Sequence, residues 1–239
     1  MEMEEKTKIK EIYGVLYRAY GKQGWWPTTP KGKIKPEYVD SKRNLTEKEI
    51  FEICIGAILT QNTSWKNAEK SIMQLNKNKL MQKQKLMKSE DNSILKLIRS
   101  SGYYNQKTRT IRNFLEFAGK KSLKKYFKKD VDWIRKSLLD IKGIGKETAD
   151  SILLYAANKP IFVIDAYTKR IFNRLGFKQN TYDELQNLFH SGLKKDTKTF
   201  NEYHALLVEF GKRICRKKPL CNQCFFKKQC LYFKKNNRL

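Results

Sequence analysis

Four of the five cysteines crowd into one C-terminal stretch, Cys215-x₅-Cys221-x₂-Cys224-x₅-Cys230. Four thiolates so spaced can close a tetrahedral zinc site or hold a [4Fe–4S] cluster, and spacing alone does not choose between them. In a reducing compartment such clustering points to a metal rather than to disulfides. Upstream, residues 138–150 read L-L-D-I-K-G-I-G-K-E-T-A-D. Gly143 and Gly145 let the backbone turn tightly there. The Gly143-Ile144-Gly145-Lys146 amides then stand at the start of a helix, where phosphate is favoured. A plain corner between two helices would show the same glycines. Asp165 ends the apolar run Pro160-Ile-Phe-Val-Ile and opens a helical pattern, a position where aspartate is a favoured N-cap. Cys54, in an apolar helical segment, reads most simply as a small buried hydrophobe.

The 239 residues carry 51 Lys+Arg against 24 Asp+Glu, a net charge of +27. So large a one-signed surplus repels itself unless a polyanion is near, and nucleic acid is the first candidate. A hydrophobic content of 40% and an aromatic content of 12% exclude a disordered basic tail, which could not offset its chain entropy. No run approaches the ~18 apolar residues that span a bilayer. The charged start MEMEEKTKIK lacks the apolar stretch of a signal peptide. The expectation is a cytoplasmic protein, nucleoid-associated if prokaryotic, with no membrane partner.

The elements that must position these groups read as helical nearly throughout. Ile9, Ile12, Tyr13, Leu16 and Tyr20 fall at helical intervals, predicting a helix over 7–20 that Gly21 ends. Residues 21–44 hold three glycines and three prolines and predict a loop. Thr46 with Glu49 makes a capping box, and Ile50, Ile53, Cys54, Ala57 and Ile58 supply the buried face of a second helix. Ser64 caps a third. Between Ser71 and Lys129 sixteen basic and three acidic residues alternate with leucines, isoleucines and phenylalanines, predicting short helices with one wet face. Further helices are expected over 132–139, 146–157, 165–175 and 200–210. Period-two alternation is scarce, so the fold class is all-α.

Taken together, these motifs resemble a known family. The L-x-x-I-x-G-I-G-K-x-T-A pattern is similar to the helix-hairpin-helix of DNA repair glycosylases. With Asp165 twenty residues beyond Gly145, it resembles the helix-hairpin-helix, Gly/Pro-rich loop, Asp superfamily to which endonuclease III belongs. The resemblance implies two helical subdomains, residues 41–158 with the hairpin (138–157) and residues 1–40 with 159–239. It places the catalytic carboxylate at Asp165. Gly56-Ala-Ile-Leu-Thr-Gln-Asn-Thr63 matches the segment whose glutamine fills the gap left by an extruded nucleotide, which assigns Gln61. Ser101-Gly-Tyr-Tyr-Asn-Gln-Lys107 matches the segment carrying the wedge that kinks the duplex, which assigns Tyr103. Duplex DNA would thus be gripped at the hairpin, around Tyr103 to Lys107, and at the cysteine loop, where Lys217, Lys218, Lys227 and Lys228 lie between the ligands. For Cys215, Cys221, Cys224 and Cys230 the resemblance implies a [4Fe–4S] cluster over zinc, with a first interval one residue shorter than in endonuclease III.

Members that also cleave the strand use a Schiff-base lysine just before the Thr of G-x-G-x-K-T-A. Glu147 stands there in this chain, and Lys146, one position earlier, is rotated about 100° around the helix. The departure implies a monofunctional enzyme that leaves an abasic site. No second acidic group is evident for protonating a leaving base, which suits alkylated purines that depart neutral. Trp25, Trp26 and Pro27, with Trp65 downstream, could hold such a cationic base in an electron-rich pocket. This arrangement resembles the 3-methyladenine DNA glycosylase III group more than endonuclease III itself. The expected partner is double-stranded DNA containing a damaged base, bound by a monomer. Alternatives are an endonuclease III-like glycosylase and AP lyase on oxidised pyrimidines, a U/T mismatch or adenine glycosylase, and a catalytically silent or redox-sensing DNA-binding protein.

Overall fold

The computed structural model describes residues 2–38 and 44–236. Among them every regular element is helical, with one isolated antiparallel bridge between Thr28 and Glu37. In chain order the helices are α1 (Glu2–Tyr20), α2 (Glu47–Leu59), α3 (Trp65–Lys77), α4 (Lys83–Lys88), α5 (Asp91–Ile98), α6 (Tyr104–Ala118) and α7 (Leu123–Tyr126). There follow α8 (Val131–Leu139), α9 (Lys146–Ser151), α10 (Ala166–Leu175), α11 (Tyr182–Gly192), α12 (Thr197–Arg213) and α13 (Leu231–Asn236). No helix among the described residues is long and apolar enough to cross a membrane.

The chain divides into two compact units. The hairpin unit is Gly24–Lys159, and the split unit joins Met1–Gln23 to Pro160–Leu239. The boundary expected at 40/41 lies outside the described residues, and the segment from Gly24 onward belongs to the hairpin unit instead. The reason is local. Backbone N–H and Oγ1 of Thr29 donate to the Glu52 carboxylate of α2 at 2.8 and 2.7 Å, and Asn76 of α3 donates to Thr29 Oγ1 at 2.8 Å.

In the hairpin unit α2 is the centre. Thr46 and Glu49 form the expected reciprocal capping box. All ten residues from Ile50 to Leu59 are buried, so this helix is enclosed on every side rather than on one face. Its first-turn acid, Glu47, accepts hydrogen bonds from Leu123 N (2.6 Å), Lys124 N (3.0 Å) and Ser122 Oγ (2.9 Å), so α2 satisfies the open amides of α7. Ser64 occupies the N-cap of α3, without a side-chain cap bond. Asp130 caps α8 by accepting from Asp132 N and Trp133 N. The helix expected over 146–157 begins as α9 and finishes as a π turn, Ile152–Ala156.

In the split unit α1 starts at Glu2 rather than at residue 7, and Ile9, Ile12 and Leu16 are its buried stripe. Tyr203 Oη of α12 donates to Ile9 O at 2.9 Å. Phe162 stacks on Phe189 with centroids 3.7 Å apart. α11 is a helix beyond those expected from the sequence, and Thr181 and Glu184 repeat the capping box of α2. Leu185, Leu188 and Phe189 supply its buried apolar face.

Candidate active site and DNA interface

In the hairpin itself, Gly143 has φ +99°, and a Cβ there would lie 2.1 Å from Thr110 Oγ1 of α6. Glycine is needed both for the turn and for this close approach. Gly145 caps α9, and an added Cβ would meet nothing within 4 Å, which leaves the backbone approach open. Ile144 departs from expectation. It is buried, and its amide donates to Ile141 O at 2.9 Å, a bond within the turn. Lys146 and Glu147 are both exposed.

Gln61 follows α2 and donates through Nε2 to Gly143 O (2.9 Å) and Thr148 Oγ1 (3.0 Å). The glutamine is thereby fixed to the hairpin. Tyr103 is 66% exposed, with φ +47°. So exposed a ring is not a packed core aromatic. Lys107 is a correction. Although placed among the DNA-gripping residues, it is 1% exposed and donates to Leu59 O and Ser101 O, so it cannot reach a phosphate.

The tryptophans form one cluster within the hairpin unit. Centroids of Trp25–Trp26, Trp25–Trp65 and Trp26–Trp65 lie 5.4, 5.4 and 5.5 Å apart at interplanar angles of 88°, 63° and 89°. A base slotted between two rings needs them parallel and about 7 Å apart. These edge-to-face indoles fill one another's space instead. Trp26, Pro27 and Trp65 are buried, while Trp25 is half-buried, so the accessible surface of the cluster belongs to Trp25. Tyr155, on the π turn and not anticipated, packs 5.1 Å from Trp26. Gly56 makes room for Trp26, since a Cβ there would lie 3.2 Å from the indole nitrogen. One turn earlier on α2 is Glu52, which sequence reasoning missed. Burial pushes its carboxyl above the usual range against the two Thr29 bonds, and among the described residues Oε2 finds no hydrogen-bond partner.

In the split unit Asp165 caps α10, its Oδ1 accepting from Thr168 N at 2.7 Å. Oδ2 lies 3.6 Å from His204 Nε2 of α12. Burial pushes this carboxyl up, but His204 beside it and the Thr168 bonds outweigh burial and hold it below the ordinary carboxylate range. Asp165 is therefore an ionised, enclosed and oriented carboxylate, the state required to stabilise developing positive charge. Lys212, also on α12, has its pKa lowered by burial while Glu209 and Asp165 pull it back up. His204 carries no sequence signal: a histidine between apolar residues in a helix is ordinarily a core residue.

The cysteine loop rests on α10. Arg170 donates to Cys215 O at 2.9 Å and Arg174 to Cys215 Sγ at 3.4 Å. Phe226 N donates to Cys224 Sγ at 3.4 Å. Burial, then the neighbouring cysteines, raises the Cys221 thiol, and burial pushes Cys224 up to about 11 despite the Phe226 bond. The four sulfurs are thus within electrostatic range, yet among the described residues no three His, Cys, Asp or Glu side chains converge to hold a metal as they stand. The donor chemistry fits an iron–sulfur group, because four thiols flanked by N–H donors and an arginine can ionise on binding. Cys54 is fully buried, and burial raises its thiol far above the ordinary value, in keeping with a core role.

Comparison with known proteins places this geometry. The solved structure of Helicobacter pylori 3-methyladenine DNA glycosylase (MagIII) bound to 1,N6-ethenoadenine is 27% identical, with a TM-score of 0.67 over 89% of this chain and 97% of that one. An endonuclease III–DNA complex at 19% identity shares the fold, with a TM-score of 0.74 over 98% of this chain and 99% of that one. In sequence, MJ1434 of Methanocaldococcus jannaschii, assigned to the DNA repair glycosylases, is 41% identical over 97% of this chain and 99% of that one. Endonuclease III of Thermotoga maritima is 31% identical over 82% of this chain and 89% of that one. Helical units with a glycine hairpin and a capped, buried aspartate define a DNA glycosylase class. The family described as HhH-GPD superfamily base excision DNA repair protein matches residues 55–195, and the chain belongs to it. Within that family it is endonuclease III-like.

Proposed function

We propose that this glycosylase is monofunctional and releases alkylated purines such as 3-methyladenine from double-stranded DNA, leaving an abasic site. The observation that carries the reading is the aromatic cluster of Trp25, Trp26 and Trp65 in a chain whose Schiff-base position holds Glu147. Trp25, with Trp26, Pro27 and Trp65 behind it, offers an electron-rich surface to a cationic base. The base leaves neutral and needs no proton from the enzyme. Asp165, ionised throughout the neutral range, stabilises the oxocarbenium-like sugar and orients the attacking water. Gln61 fills the gap of the extruded nucleotide and Tyr103 wedges the step beside it. The likeness to a 3-methyladenine glycosylase supports the substrate class.

The cysteines at 215, 221, 224 and 230 would hold a [4Fe–4S] cluster. When bound, it would cross-link a loop that presents Lys217, Lys218, Lys227 and Lys228 to the DNA backbone. A panel of duplexes carrying methylated, oxidised, deaminated and mismatched bases, treated with and without alkali, tests the reading. Release of methylated purines, with strand breaks only after alkali and no borohydride-trapped adduct, is expected. Cleavage of oxidised pyrimidines without alkali would replace it with the lyase alternative.

A further inference from the structure

Lys107 is a lysine buried to 1% exposure, and burial pushes its pKa down to about 8. An apolar side chain would occupy the same space without that desolvation cost. What the lysine adds is two hydrogen bonds, from its Nζ to Leu59 O at 2.7 Å and to Ser101 O at 2.6 Å. Leu59 lies two residues before Gln61, and Ser101 two residues before Tyr103. Both segments then pass through left-handed backbone at non-glycine residues, Asn62 with φ +52° and Tyr103 with φ +47°. Such conformations persist only where the surroundings hold them.

The same stripe of α6 continues toward the hairpin. Thr110, one turn on, fills the space over Gly143, and Asn113, a further turn on, donates to Lys142 O at 2.8 Å. Gln61 completes the path with its bonds to Gly143 O and Thr148 Oγ1. One face of one helix thus holds the hairpin, the glutamine loop and the tyrosine loop, and the only charged member of that face is Lys107.

We propose that Lys107 is a positioning residue whose buried ammonium locks the Gln61 and Tyr103 loops onto α6 in one register, so that gap-filler and wedge enter the duplex as a unit. This rests on the reading of those two residues given above. The test uses the full chain and a duplex carrying a tetrahydrofuran abasic analogue, with bending read by energy transfer between its ends, so that no base need be cut. Lys107→Gln, neutral and able to make one bond, should lower the kinking equilibrium about tenfold, the loss expected of a charged hydrogen bond. In the natural chain the effects of Gln61→Ala and Tyr103→Ala should fall short of multiplying, and in the Lys107→Gln background they should multiply.

Unchanged kinking by a folded Lys107→Gln would overturn the proposal. So would multiplicative effects of the two loop variants in the natural chain, a result that stands even if Lys107→Gln does not fold. If Gln61→Ala and Tyr103→Ala each left kinking unchanged, the assignment of wedge and gap-filler would fall, and the strut with it.

Discussion

The hairpin unit and the split unit prepare for DNA by different physical means. The hairpin unit works through backbone: Leu59, Ser101, Lys142 and Gly143 offer carbonyls to Lys107, Asn113 and Gln61, and of these three side chains Lys107 is buried. The split unit works through buried side-chain electrostatics, with Asp165 capping α10 beside His204. A shape-reading surface needs its loops fixed relative to one another. A catalytic carboxylate needs its charge kept and its oxygens aimed. The first demand is met by several modest bonds spread over the loops, and the second by one short hydrogen bond and one close histidine at a single residue.

The comparison breaks most sharply on Asp165→Asn. If chemistry resides in the split unit, turnover should fall about 10³-fold while affinity for undamaged duplex stays within about twofold. A similar loss in both, read from single-turnover release and from binding, would deny the division of labour. Next comes the tryptophan cluster. Trp26→Ala should cost about 3–5 kcal/mol of stability by denaturant melting, the usual cost of emptying a large buried aromatic site. Trp25→Ala should cost much less stability and instead slow release of a methylated purine about 10-fold, the loss of a desolvated cation–π contact. Equal destabilisation by the two would make Trp25 an anchor as well.

His204→Ala should slow turnover by roughly tenfold through Asp165, and its signature is in pH. The folded-state pKa of Asp165 is depressed. Its contribution to stability is therefore present above the ordinary carboxylate value and lost as pH falls through the folded one. Removing His204 takes away the chief lowering influence, so the acid limb of kcat/KM should move to higher pH, and a limb that stays put would show His204 to be mere packing. The smallest effect is expected at the hairpin. Lys146→Ala should reduce the magnitude of the log–log salt slope by about 0.9, one phosphate contact, with release from the bound complex unchanged.

Much of both units was legible before the structure. The capping box at Thr46 and Glu49, the glycines at 143 and 145 and the cap at Asp165 are local signals, each set within one turn of chain, and each appears as read. The misreadings share a cause. The stretch from Tyr103 to Lys107 is expected at DNA, yet Lys107 turns inward, and the Ile144 amide is expected at phosphate, yet it donates to Ile141 O. In both cases a partner distant along the chain or committed within the turn decides the role. α11 carries local marks of its own, a capping box and the apolar face of Leu185, Leu188 and Phe189, and it packs against α1. His204 and Glu52 bear no local mark at all, and burial beside Asp165 or under Thr29 gives them their character.

By itself the sequence determined the helical class, the net charge of +27, the hairpin, the capping aspartate and the cluster of four cysteines, because caps, turns and residue spacings are properties of short segments. Only the tertiary structure decided that Trp25 rather than all three tryptophans of the cluster faces outward, that His204 stands beside Asp165 and lowers its pKa, and that one of the 51 basic residues turns inward to tie two loops together. Burial and hydrogen bonding across 48 residues of chain set those roles, and no local pattern encodes a partner that far away.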